Sequence, residues 1–220
     1  MADWPSSADA LIEVQRTLAA ARPPAWHLTR GAAVGACYVC SSRAKRGHGA
    51  AGDSVWAAAA VGENVTALRH EAGAAYGPGL LALREGTALE AAVRRLEVQP
   101  DVLLVDATGR DHPRRAGLAV HLGAVLDLPT VGITHRPLLA EGDWPDDEPG
   151  AHTPLVIDGD QVGSWLRTRP GTRPLAVHAA WRTDAATAVE VVLAVLTGHR
   201  APEPLRRARR AAREARAADL

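Results

Sequence analysis

"LLVDATGRDHPRRAGLAVHLG", residues 103–123, sets a short apolar run against a single acid. Leu103, Leu104 and Val105 are apolar without alternation, the pattern of a parallel strand covered on both faces. Asp106 closes that run, a glycine turn follows, and "HPRRAG" leads into a helix predicted over about residues 113–126. Strand, turn and helix in this order put Asp106 at the carboxyl end of a strand, where ligand sites of such sheets gather. Asp is also a common first residue of a turn, so position alone leaves Asp106 as either turn former or catalytic group.

Outward from this unit the chain alternates. Residues 6–21 read as an amphipathic helix with a serine cap, and "AAVGACYVC", "SVWAAAAVG" and "VTALRHEA" read as three successive strands. A long helix is predicted from about Gly79 to Val98. Beyond residue 126 come a strand "PTVGIT", an acidic loop, a hairpin "TPLVIDGDQVGSWLRT", a strand "PLAVHAA", a helix from about Asp184 to Leu196 and an arginine-studded terminal helix. A meander of three antiparallel strands followed by β-α units predicts an α/β fold, a mixed central sheet with helices on both faces. With 220 residues and 47% hydrophobic composition, one domain spanning 1–220 is expected, residues 1–25 and the basic helix over 199–220 serving as extensions.

The 25 basic and 25 acidic side chains cancel, so global charge does not announce a nucleic-acid partner and leaves a local basic surface open. No apolar run of about 18 residues and no leader pattern occurs, so a cytoplasmic protein without a membrane partner is the expectation; a monomer is expected separately, the sequence itself leaving dimerisation open. Cys37 and Cys40 are too few for a disulfide framework. Their C-x-x-C spacing falls in extended chain rather than at a helix start, which favours two small buried side chains over a redox dithiol. His48 could join them at zinc only with a fourth ligand that the sequence does not offer.

Glu85 carries more information. In "GLLALREGTALEAAVRRL" it shares one helical stripe with Leu81, Ala88, Leu89, Ala92 and Leu96, while Glu90, Arg94 and Glu97 mark the solvated side. An inward carboxylate must be paired, protonated or bound to a cation, or must reach solvent at the rim. Asp184 opens a helix and reads locally as an N-cap. Together Glu85, Asp106 and Asp184 offer hard oxygen ligands for Mg²⁺ or Mn²⁺ and suit metal-assisted phosphodiester hydrolysis.

Several segments in this order resemble the endonuclease V family, from about Ala33 to Leu205. "DATGRDHPRRAG" is similar to the family's D-G-x-G-x-x-H-P-R-x-x-G element and carries Asp106, Gly109, His112, Pro113, Arg114 and Gly117. "YGPGLLALRE" is similar to Y-x-P-G-x-L-x-x-R-E and carries Tyr76, Pro78, Gly79, Arg84 and Glu85. "DLPTVGIT", "WRTDAATAVE" with Asp184, and the close "GHRAPEPLRRA" resemble further family segments. The resemblance implies a ribonuclease H-like fold and Mg²⁺-dependent nicking of nucleic acid near deaminated purines, deoxyinosine in DNA or inosine in RNA, in DNA repair. It implies that Glu85, Asp106 and Asp184 hold the metal with His112 and His135 in the catalytic set, and that Tyr76, Pro78, Gly79 and Gly109 meet the substrate.

The sequence also departs from the family. Where the first strand carries a metal-binding Asp, one alignment places Cys37 and another Ala33; Cys37 is preferred because the strand then continues. A thiol suits softer ions than Mg²⁺. The family lysine after the next strand is His135 here, and the wedge P-Y-I-P reads Ala75, Tyr76, Gly77, Pro78. These changes leave a second reading open, a family-like nucleic-acid-binding protein that cleaves poorly or not at all. Arg114 and Arg115 are expected either to hold phosphate or to be solvated. The helix bearing Arg206, Arg207, Arg209, Arg210, Arg213 and Arg216 could track a nucleic-acid backbone, with a solvated terminal helix the preferred reading. Trp181 is a candidate cleft wall.

Overall fold

The computed structural model describes residues 3–42 and 49–219. The His48 expectation therefore lies outside the described residues. Strands β1 (Val34–Ser41), β2 (Ser54–Val61) and β3 (Asn64–Glu71) form the antiparallel meander. They join β4 (Val102–Val105), β5 (Thr130–Thr134), β6 (His152–Ile157), β7 (Asp160–Leu166) and β8 (Leu175–Ala179) in one eight-stranded sheet, ordered β3-β2-β1-β4-β5-β8-β7-β6. β1, β4 and β5 run parallel at its centre, and β8 returns antiparallel to β5. This is the mixed α/β architecture that the alternation predicts.

Helices cover both faces. α1 (Ala8–Ala20), α2 (Leu81–Arg94) and α3 (Leu118–Leu126) pack on one side, burying Leu11, Leu89 and Leu122 against Cys37, Leu103 and Val105. On the other side α4 (Ala185–Ala194) buries Val189 and Val192 against Leu104, Val131 and Val177, and α5 (Glu203–Ala218) crosses β1, β2 and β3. Alternation along the strands explains the division: Leu103 and Val105 face the first layer, Val102 and Leu104 the second. In β2 the run Ala57–Ala60 is fully buried on both faces, and these small side chains let helices approach a core that contains no phenylalanine.

Two helix starts and the packing of one helix differ from the sequence expectation for local reasons. α2 begins at Leu81 because Gly79 sits at φ 72. α3 begins at Leu118 rather than near Pro113, because Arg115 adopts φ 54 and residues 113–117 form a turn. α5 is no detached solvated helix: Leu205, Ala208, Ala212 and even Arg216 are buried against the sheet. The hairpin of β6 and β7 turns through Asp158 and Gly159, both at positive φ (52 and 85), the backbone of an Asp-Gly type I′ turn. Among the described residues no helix is long and apolar enough to cross a membrane.

Candidate nucleic-acid site

Asp106 emerges at the edge of the sheet where β4 ends, and β1 brings Cys37 level with its neighbour, the pair Cys37 and Val105 being in register. Ala33 lies at the other edge, where its N–H donates to the Asp101 carboxylate at 2.8 Å. Of the two alignments left open by the sequence, only the one through Cys37 places a side chain beside Asp106. α2 supplies Glu85 from above. Burial, and then the carboxylates of Asp106 and Glu85, push the Cys37 thiol far up, so it stays protonated. Burial raises Glu85 to about 7, with Arg84 opposing and Asp106 adding to the rise. Cys40, three residues along the strand, points to the opposite face with its Sγ toward the Ala212 carbonyl at 3.6 Å, so the two thiols form no dithiol.

The turn from Tyr76 to Gly79 is fixed by one carbonyl. The Gly79 oxygen accepts from Gln15 Nε2 (3.1 Å), from Arg114 Nη2 (2.7 Å) and from His112 Nε2 (3.2 Å), while Arg114 Nε donates to Gln15 Oε1 at 2.5 Å. His112 Nδ1 accepts the Arg114 backbone N–H at 3.1 Å, which leaves the proton on Nε2. Burial, with Arg114 adding, lowers His112 to about 4, so the ring is neutral at pH 7. Arg114 is thus committed to the protein backbone and Gln15, not displayed for phosphate. The turn walls a cavity of about 240 Å³, lined by Tyr76, Pro78, Asp106, His112 and Leu138 among others. That is smaller than the roughly 300–1,000 Å³ of sites enclosing drug-sized ligands and suits a single heterocycle. Tyr76, 45% exposed, stands at its mouth.

From the other face Arg209 of α5 reaches Asp106. Its Nε and Nη2 donate to Asp106 Oδ2 at 3.2 and 3.0 Å, the two side chains being only 15% and 21% exposed. The Arg209 and Arg213 guanidinium carbons each lie 5.7 Å from the Tyr38 ring centroid. Nearby, Arg200 Nη1 donates to His135 Nδ1 at 2.9 Å; burial, then Arg200 and Arg209, hold His135 below its ordinary pKa and therefore uncharged near pH 7. Sequence reasoning named Arg209 only as one of six arginines on a basic helix and did not connect it with Asp106. The signal was present, since Leu205, Ala208, Arg209, Ala212 and Arg216 share the spacing that singled out Glu85.

Asp184 does not join this group. Because β8 runs antiparallel to β5, with Ala179 opposite Val131, the segment after β8 emerges at the edge where β4 and β5 begin. There Asp184 is an exposed N-cap accepting from Thr187 N at 2.7 Å, a bond that lowers its pKa. Its neighbours across a cleft of about 390 Å³ include Arg22, Arg110 and Arg115. Arg115 itself donates to the Ile157 carbonyl and to Asp158, both at 3.0 Å. Trp181 sits at this edge too, its backbone N–H donating to Thr130 Oγ1 at 3.1 Å, so it is no wall of the Asp106 cavity. Gly109 serves packing: a Cβ there would lie 2.1 Å from the Ala179 oxygen. Asp111, also unflagged by sequence, is fully buried and accepts the N–H groups of Leu138, Leu139 and Ala140 at 2.6, 2.8 and 2.9 Å.

The expected metal set is therefore not assembled. Among the described residues no group of three or more His, Cys, Asp or Glu side chains is placed to hold a metal ion. What converges is a pair of carboxylates, a buried thiol and an arginine that neutralises one carboxylate. The donor set does not fit Mg²⁺, which takes near-ideal octahedral oxygen coordination.

A family model described as Endonuclease V matches residues 27–210. Endonuclease V of Roseiflexus sp. is 44% identical over 133 residues, 60% of this chain and 60% of that relative, so the matched stretch spans under two thirds of the curated relative's length. The crystal structure of Streptomyces avermitilis endonuclease V superposes with a TM-score of 0.85 and 31% identity, covering 99% of this chain and 96% of that one. Ciona intestinalis endonuclease V, crystallised with a 24mer DNA containing an inosine followed by a ribo-adenosine, shares the fold at TM-score 0.79 and 19% identity, with 96% and 98% covered. These structures are ribonuclease H-like, and so is this sheet with its two helical layers. By the extent of that family match, the chain belongs to the endonuclease V family.

Proposed function

We propose that this chain recognises nucleic acid bearing a deaminated purine, holding the unstacked base in the cavity beside Tyr76, and does not cut it by the divalent-metal route. The observation that carries the reading is the pairing of a base-sized cavity with an arginine seated on the carboxylate that borders it. Taking a base out of the stack costs a few kcal/mol, least where pairing is already poor, which favours lesions over normal pairs. Tyr76 offers a face for stacking, and the turn that His112 and Arg114 hold at the Gly79 carbonyl gives the cavity a fixed wall without a metal. The inosine-containing DNA of the Ciona relative supports the choice of base.

A second reading, metal-dependent nicking in DNA repair with Mg²⁺ or Mn²⁺ as cofactor, is favoured by the retained closeness of Glu85 and Asp106. One experiment separates them. Fluorescein-labelled duplexes and single strands of DNA and RNA, with and without inosine, are titrated in EDTA and incubated in MgCl₂ or MnCl₂. Preferential binding to inosine with no incision is expected, and Tyr76→Ala is expected to weaken binding by about 1–3 kcal/mol, the worth of one stacked base. Incision that disappears in Asp106→Asn would establish the second reading.

A further inference from the structure

We infer that Arg209 is the resident cation of the Asp106 site and, with Arg213 and Arg200 beside it, binds a backbone phosphate of nucleic acid directly, in place of a divalent ion. The phosphate part rests on the nucleic-acid reading above; the cation part does not. Both nitrogens on one side of the guanidinium converge on Asp106 Oδ2 at 3.0 and 3.2 Å, a charge-assisted arrangement with the pair mostly shielded from water. A metal approaching that oxygen would meet the guanidinium's positive charge at contact distance. The remaining ligands do not compensate, since Cys37 presents a buried sulfur where a hard cation requires oxygen, and Asp184 is at the far edge of the sheet.

The guanidinium is also held from a second side. Tyr38, which alternates with Cys37 along β1 and faces α5, lies under both Arg209 and Arg213. Arg200 reaches the same corner through His135. One carboxylate oxygen uses part of Arg209's five-donor fork, leaving donors for an incoming phosphate, and planar forks of this kind pair with phosphate oxygens two at a time. α5 thus places positive charge beside the base cavity without the protein carrying any net charge.

The test reads metal and nucleic acid separately on the full chain. MnCl₂ is titrated into the protein with free Mn²⁺ followed by electron paramagnetic resonance, and an inosine-containing oligonucleotide is titrated in EDTA and in MgCl₂ at matched ionic strength. No saturable Mn²⁺ site is expected in the unaltered protein or in Cys37→Asp, while Cys37→Asp combined with Arg209→Ala gains one. Oligonucleotide affinity is expected to be the same with and without Mg²⁺, and to fall about tenfold in Arg209→Gln with Arg209→Lys intermediate. Circular dichroism melts confirm that each variant is folded. A Mn²⁺ site in the unaltered protein that is lost in Asp106→Asn overturns the inference, as does unchanged oligonucleotide affinity in a folded Arg209→Gln. Failure of every oligonucleotide to bind would instead defeat the nucleic-acid reading, with the Mn²⁺ result still deciding the role of Arg209.

Discussion

Asp111→Ala is expected to lower stability by about 3–5 kcal/mol and to loosen the base cavity at the same time. The Asp111 carboxylate is fully buried and gathers three consecutive backbone N–H groups, those of Leu138, Leu139 and Ala140. His178 Nδ1 approaches the same carboxylate at 3.7 Å. Alanine removes the acceptor while the donors stay in place, so the loss includes their desolvation and not merely the worth of the bonds. Leu138, which lines the cavity, is carried on the segment these bonds hold. Asp111→Asn separates geometry from charge, because its one oxygen can still accept from two N–H groups while its NH₂ faces the third. Urea unfolding at pH 7.5 should place Asn between the native residue and Ala. A loss of less than about 1 kcal/mol in Asp111→Ala would mean that the 138–140 segment is held by its other contacts.

Much of this architecture was legible in the sequence because its signals are local. The apolar run at 103–105, the strand-like composition of the three meander segments and the Asp-Gly turn of the hairpin each fix an element from within a few residues. Glu85 was legible because inward-facing charge on a helix stripe is a costly placement, whereas Asp106, which a turn explains equally well, gained weight only beside the other acids. Asp184 was misplaced for a nonlocal reason. Its N-cap chemistry reads correctly, but whether it reaches the Asp106 edge depends on the direction of β8, and three successive reversals, from β5 to β6, β6 to β7 and β7 to β8, leave that strand antiparallel to β5 without any mark in the strand itself.

Arg209 shows the complementary gap. Six arginines on one helix invite a reading as bulk charge, yet only helical phase decides which of them turns to the sheet, and Leu205 and Ala212 fix that phase. Arg114 was legible by type and misleading by role: at the start of a helix it suggests phosphate, whereas Gln15, remote in sequence on α1, takes its guanidinium toward Gly79. Gly109 likewise invites a ligand and is required by the Ala179 carbonyl instead. In each case the chemistry of the side chain is apparent from the sequence and its partner comes from a distant element.

Between pH 7.5 and pH 5, Glu85→Gln is expected to lose about 4 kcal/mol of stability, against about 1–2 kcal/mol for the unaltered protein. Burial lowers His112 and His178 to about 4, below the roughly 6.5 of an unfolded chain. His178 is fully buried, with Nε2 donating to Thr134 Oγ1 at 2.8 Å, and burial outweighs the pull of Asp111. A depressed histidine binds fewer protons folded than unfolded, so its stabilisation is present above about 6.5 and drains as pH falls toward 4. Buried His121 is lowered as well and acts in the same direction. Glu85 works against them. Its pKa is raised to about 7, so the folded state takes up a proton that the unfolded state does not, and acidification stabilises the protein through this group. Glutamine keeps the shape and removes the titration, unmasking the histidines and raising stability at pH 7.5 by about 3 kcal/mol. Urea midpoints measured across this pH range, with His178→Gln as a companion that flattens the slope, check each contribution. Parallel pH profiles for Glu85→Gln and the unaltered protein would mean that Glu85 is solvated and ordinary, and would remove the buried acid from the site.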